Sequence, residues 1–395
     1  MNPADKPLLH LLTLEDLARP TGQQARLANL IPELARHFEI GLVGRPGVLP
    51  ANLAELIGPR IELPLPESTR ALQYFMHPAG PLRLRRLARA LAALPVKGGI
   101  LYCESLLLAA LAAPSSPRLL AAEVNGIACE EVARKLKVGG GLAYNWLRER
   151  ERRGLIATQR AIAVSDGIAG YLKRLAPESG ARVEVIGNGI NPRLFHTGVS
   201  GCKIRRDLEL GNDPVAVMHS TFRPWHGIEN LLDAWSIVVG DQPRARLLLV
   251  GDGPGRAAAQ DRAETLGLAD SVFFPGAIDA DEIPRWIAAA DVGVYFPDFN
   301  VEGHGFLGHP IKLLEYMAVG RPVVTIDDTA LAATVTAAGA GVLARPGARP
   351  FAAAVMELFG DAPRRVELGR NGAKYIAANH TWAKIADRIA EFLSR

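Results

Sequence analysis

Short apolar runs recur along this chain, each followed by a stretch whose apolar residues fall at helical spacing. LLHLLTL, EIGLVG, GGILYC, RLLAAEV, RAIAVS and VEVIG have the length and content of buried strands. Between the first two, QQARLANLIPELARHF places apolar residues at 27, 30, 31, 34 and 38, along one face of a helix. Strands buried on both faces and alternating with helices predict an α/β fold, a parallel sheet with helices packed on each side. After about residue 198 the pattern starts again with VAVMHS, ARLLLVG, SVFFPG, VGVYFP, PVVTI and GVLA. A chain of 395 residues exceeds one ordinary core, so two Rossmann-like domains are expected. The polar, glycine-containing stretch 191–214 carries the boundary, which gives domains at 1–195 and 196–375 and a terminal segment at 376–395. That segment contains the amphipathic run TWAKIADRIAEFLSR.

An apolar content of 49% against 22% charged residues is that of a globular chain. Cys103, Cys129 and Cys202 are far apart and show no C-x-x-C spacing, so neither a metal site nor a disulfide framework is expected. With no leader-like start and no apolar run of spanning length, a reducing cytoplasm is the expected location. Charge is uneven: residues 1–195 hold 25 Lys and Arg against 17 Asp and Glu, and residues 196–395 hold 20 against 24. The basic half contains YFMHPAGPLRLRRLARALAAL (74–94) and LAYNWLRERERRGL (142–155), where aromatics and arginines mix. Such stretches suit an anionic bilayer at its inner face or a lipid-linked diphosphate, and equally an ordinary surface helix. Nothing has the pattern of a nucleic-acid reading helix or stacking sheet.

The most informative motif is HPIKLLEYMAVGRPVV (309–324), which follows the glycine-punctuated GHGFLG (303–308). Loop, helix, Gly-Arg-Pro stop and apolar strand form one αβ unit. Its helix start lies where exposed backbone N–H groups and the helix dipole favour an anion. Glu315, one turn in, can accept two hydroxyl hydrogen bonds, and a phosphate followed by a diol describes a nucleoside diphosphate. The segment resembles the donor-binding motif of glycosyltransferase family 4, in the variant with K-L-x-E-Y-M-A. AIAVSDGIAGYL (161–172), VEVIGNGINPRLF (183–195), FRPWHGIENLLDA (222–234) and LLLVGDGPGR (247–256) are similar to further family segments in the family's order. Before 160 the likeness is thinner, in RPTGQQAR (19–26) and EVNGIACEE (123–131).

The resemblance implies a GT-B fold: two domains facing a central cleft, with the C-terminal helix crossing back onto the first. It implies an enzyme that moves a hexose unit from a nucleoside diphosphate sugar to an acceptor hydroxyl, with retention at the anomeric carbon and no metal or other cofactor. The second domain would bind the donor and the first a glycan or lipid-linked acceptor, as in surface polysaccharide or glycolipid assembly. Carried over residue by residue, Glu315 would hold the ribose, and the backbone of Gly305, Phe306, Leu307 and Gly308 the diphosphate. Leu307 stands where the commoner motif has a first acid; Glu302 and Asp298 lie upstream as substitutes. Arg223 is the expected anion clamp and leaving-group stabiliser, since it is always charged and can bind bidentate. His226 occupies the family's lysine position. Lys312, His304 and His309 can reach phosphate or sugar oxygens, and each also has a plain packing reading. Gly253 lines a close-approach turn, Ala277 and Ile278 present backbone to the base, and Gly22 approaches the phosphate from the other wall. Glu123 and Asn125 are candidates to orient the acceptor or donor sugar. The catalytic set is thus Arg223, Glu123 and His304. Asp279 and Asp281 have D-x-D spacing but fall at the base turn, and the glycines of LLLVGDGPGR lack a dinucleotide fingerprint. An epimerase, a phosphorylase or synthase of the same fold, and a non-catalytic sugar-nucleotide binder remain as alternatives.

Overall fold

The computed structural model describes residues 6–17, 22–45, 47, 49–63, 65, 80–130, 141–298, 310–327 and 329–395. The chain divides into two compact units, Met1–Asn188 with Trp382–Arg395, and Gly189–Thr381. The first division falls before the boundary read at 195, because Ile190 pairs with Thr381 in a parallel bridge and its N–H donates to the His380 carbonyl at 2.7 Å.

Unit 1 is built on strands β1 (Leu8–Leu12), β2 (Glu39–Gly44), β3 (Ile57–Glu62), β4 (Ile100–Cys103), β5 (Leu119–Val124), β6 (Arg160–Ala163) and β7 (Arg182–Val185). They form one sheet in the order β3-β2-β1-β4-β5-β6-β7, and every pair is parallel. Six of these strands coincide with the apolar runs. The seventh, β3, is an edge strand reading IGPRIE with mostly exposed side chains, so it lacks the hydrophobic signature of its neighbours. The Trp382–Ser394 helix belongs to this unit: Trp382, Ile385, Ile389, Phe392 and Leu393 are buried in one cluster with Leu27, Leu30, Ile31 and Leu34 of the Gly22–Leu34 helix. The crossing helix is shorter than 376–395, since residues up to Asn379 continue the Ala362–Asn379 helix of unit 2.

Unit 2 repeats the plan with β8 (Val215–Ser220), β9 (Arg246–Gly251), β10 (Val272–Gly276), β11 (Val292–Val294), β12 (Val323–Ile326) and β13 (Gly341–Ala344). The order is β10-β9-β8-β11-β12-β13, again all parallel. Both sheets therefore reverse their winding once, between β1 and β4 in unit 1 and between β8 and β11 in unit 2. At such a switch point the two following loops run in opposite directions and leave a crevice beyond the strand ends. Residues just after β8 and β11 are thus the ones unit 2 offers to a ligand.

Candidate functional site

In unit 2 the chain leaves β8 at Ser220 and enters the Ile228–Asp241 helix through a short loop. Gly227 caps that helix with φ of +65°, and a Cβ there would lie 2.0 Å from the Phe296 carbonyl oxygen just past β11. Only glycine lets the two loops of the switch point approach this closely. From the other side, the Ile311–Ala318 helix begins after Pro310 and buries Leu313, Leu314, Tyr316 and Met317. That burial turns Lys312 and Glu315 toward the end of β8.

The polar groups meet there. Glu315 Oε2 lies 2.8 Å from His219 Nε2. Both atoms are closed to solvent, yet they are off the line a hydrogen bond requires. The His219 ring stands edge-on to Tyr316, with centroids 5.5 Å apart at 88°, and its backbone N–H donates to the Tyr316 hydroxyl at 3.2 Å. The Lys312 ammonium sits 4.4 Å from the Tyr295 ring centroid. Burial pulls its pKa down to about 8, with Glu315 pulling it back up. His226 Nδ1 is 2.5 Å from the Ser220 hydroxyl, which also accepts the Phe222 N–H at 3.2 Å. The His226 pKa is lowered to about 2, first by burial and then by Lys312, His219 and Arg223. Burial above all keeps this imidazole neutral, so it can donate one hydrogen bond to a ligand, and the Lys312 and Arg223 charges beside it act in the same direction.

Gly253 follows β9 with φ of +152°, and a Cβ there would lie 2.0 Å from the Thr221 carbonyl oxygen, so the glycine turn packs directly on the β8 loop. At the end of β10, Gly276 has φ of +89°, Ala277 is exposed and Ile278 is half-buried against the core. Arg256 donates to the Phe274 carbonyl beside this turn at 3.0 Å. The structure thus brings Arg223, His226, Lys312 and Glu315 together, with Gly253 on the same loop cluster. His304, Gly305, Phe306, Leu307, Gly308 and His309, with Glu302, lie outside the described residues. His219 was missed in the sequence, where a histidine ending a strand reads as packing.

The unit 1 candidates are placed within their own unit. Glu123 lies within β5, is 1% exposed, and accepts from Arg26 Nε (2.7 Å) and Nη2 (2.6 Å), Tyr102 (2.5 Å) and Asn125 (2.6 Å). Arg26 is 3% exposed, donates also to Asn188 at 2.5 Å and lies over the Trp382 ring at 5.3 Å. Although burial opposes ionisation of the carboxyl, Arg26 and the other donors hold the Glu123 pKa below its ordinary value. This carboxylate is held by partners within its own unit. Asn125 joins the same network, and Gly22 is the first residue of the Gly22–Leu34 helix. At the unit 1 switch point stands an acid that the sequence reading passed over. Glu104, just after β4, is 6% exposed, accepts from Thr13 and the Leu14 N–H, and has its pKa raised to about 8, chiefly by burial.

Comparison with known proteins agrees with this architecture. Residues 203–375 match the family described as glycosyl transferases group 1. A GDP-mannose-dependent alpha-(1-6)-phosphatidylinositol monomannoside mannosyltransferase from Mycobacterium tuberculosis is 29% identical over 215 residues, 54% of this chain and 56% of that one. The D-inositol 3-phosphate glycosyltransferase of Segniliparus rotundus is 28% identical over 240 residues, 59% of this chain and 51% of that one. The chain thus spans about half the length of these relatives. Sucrose-phosphate synthase from Thermosynechococcus elongatus superposes with a TM-score of 0.74 at 21% identity, covering 98% of both chains. Anabaena HepE in complex with UDP gives 0.71 at 20%, covering 98% of this chain and 99% of that one. The chain therefore has the GT-B fold, and its second unit carries the sequence features of glycosyl transferases group 1.

Proposed function

We propose that this chain is a glycosyltransferase that takes a hexosyl unit from a nucleoside diphosphate sugar and passes it to an acceptor hydroxyl, with retention and without a metal. The observation that carries the reading is the meeting of Glu315 with His219 and Lys312 at the unit 2 switch point, next to His226 and the Arg223 charge that acts on it. Glu315 accepts the ribose diol. Lys312 and Arg223 meet the diphosphate, and neutral His226 donates one hydrogen bond to it. As the bond from the anomeric carbon to the phosphate oxygen breaks, negative charge grows on the diphosphate. Cations already in place stabilise that charge without reorganising. The departing phosphate oxygen takes the proton of the incoming hydroxyl, so no side-chain base is required.

The mannosyltransferase relatives make GDP-mannose the first donor to try, and the UDP held by HepE makes UDP-glucose the second. For the acceptor, a lipid-linked glycan at an anionic inner membrane face fits the basic surface of unit 1. The Gly80–Ala92 helix carries Arg83, Arg85, Arg86 and Arg89 beside exposed Leu82, and the Leu142–Ala157 helix exposes Leu142 and Trp146, with Arg150 over the Trp146 ring at 5.2 Å. No helix among the described residues is long and apolar enough to cross a membrane. The test is incubation with each donor and a membrane extract in EDTA, read by release of nucleoside diphosphate and by NMR of the new anomeric linkage. Release that needs an added divalent ion, or an inverted linkage, contradicts the proposal. Co-sedimentation with phosphatidylglycerol vesicles but not phosphatidylcholine vesicles tests the surface.

A further inference from the structure

The contact between His219 and Glu315 is unusual for a folded interior. Two ionisable side chains approach to 2.8 Å, both atoms are shut off from water, and among the described residues neither atom has a hydrogen-bond partner. Buried polar atoms of this kind are rare in native structures and mark a place where something else completes the geometry. His219 is not free to turn away: its ring is braced by Tyr316 and its backbone N–H by the Tyr316 hydroxyl. β8 fixes the rest, with His219 in register opposite Val250. Among the described residues Glu315 has no such brace on its own helix, and its longer side chain has more staggered rotamers open to it than a braced ring. The histidine is therefore the rigid partner and the glutamate the adjustable one.

We propose that His219 is the positioning residue that fixes the Glu315 carboxylate for a vicinal diol. This rests on the reading of Glu315 as the ribose acceptor. An acceptor for two neighbouring hydroxyls must present its oxygens in one plane at one height. Pressing Oε2 against the imidazole edge sets both, and leaves the remaining lone pairs to the ligand. Hydrogen bonds that are poorly aligned in an empty site commonly tighten when the ligand arrives. The titratable groups coupled to the pair are the Lys312 cation and neutral His226, and neither offers Glu315 the same fixed edge.

The test is calorimetric titration of the full chain with GDP and UDP, each against its 2′-deoxy and 3′-deoxy counterparts. It uses the wild type, His219→Gln, which keeps an N–H donor, and His219→Phe, which keeps the ring packed on Tyr316. The wild type is expected to prefer the ribose form by roughly tenfold or more, the scale of a hydrogen bond to a charged acceptor. His219→Gln retains most of that preference. His219→Phe loses most of it, its affinity for the ribose forms falling toward that for the deoxy forms. A Phe variant that keeps the full ribose preference overturns the positioning role and leaves the ribose reading standing. A wild type that does not distinguish ribose from deoxyribose, or binds neither diphosphate, overturns both. Thermal melts of the two variants show whether each is folded.

Discussion

Removing Glu123 tests whether the buried network of unit 1 serves the fold or the chemistry. Its carboxylate accepts from Arg26, Tyr102 and Asn125, and Arg26 in turn holds Asn188 and the Trp382 ring. Those last two residues are where the chain leaves unit 1 and where it returns. Glu123→Leu leaves a guanidinium that is 3% exposed with no counter-charge. Breaking one side of a buried pair costs about 3–5 kcal/mol. For a unit of roughly 200 residues that lowers Tm by about 6–20 °C. Removing both charges, in Arg26→Met with Glu123→Leu, is expected to recover roughly half of the loss, because no lone ion then remains. Thermal unfolding gives the size. Hydrogen exchange gives the place, with protection lost in 22–34, 119–124 and 382–394 and kept in 215–251. A Glu123→Leu protein that melts within about 2 °C of wild type, yet has lost sugar transfer, would refute the structural role and return Glu123 to the reaction.

Three further outcomes follow from the same geometry. Burial lowers Lys312 to about 8, so the native site begins to lose this cation above that pH. Diphosphate affinity should then fall by up to roughly tenfold per pH unit, and Lys312→Met should bind weakly with no such pH dependence. Glu104 holds its proton up to about pH 8 in the native state, against 4.5 for an ordinary glutamate. Between these values the native state binds more protons than the unfolded one, so stability declines as pH rises, by about 3–5 kcal/mol in total. Urea titrations should show that slope flattened in Glu104→Gln. Gly253→Ala places a Cβ against the Thr221 carbonyl at a φ that alanine rarely adopts, and should cost about 1–3 kcal/mol of stability along with nucleotide affinity.

The fold was legible because its signal is local. A buried parallel strand writes itself as a run such as LLLVG or PVVTI, and the restart after residue 198 separates the two sheets. β3 escaped because Gly58, Pro59 and Arg60 face solvent at an edge. The spacing around Glu315 is local too, since Lys312 and Glu315 share one helix and Arg223 and His226 one loop. What the sequence hid were pairings between distant positions. Glu123 read as an acid near a strand end, and its partner Arg26 lies 97 residues away. Glu104 accepts a hydrogen bond from Thr13, 91 residues earlier. His219 meets Glu315 only because β8 and β11 are neighbours across the switch point. Periodicity carries no trace of such contacts.

The central claim is that the crevice beyond β8 and β11 holds a nucleoside diphosphate through Glu315 and the cations beside it. Titrating the purified chain with GDP and UDP in EDTA, alongside Glu315→Ala, tests it directly. Saturable binding by the wild type, weakened roughly tenfold or more in the variant, is the predicted result. Equal binding by both proteins, or no heat from either nucleotide with the wild type, would contradict it.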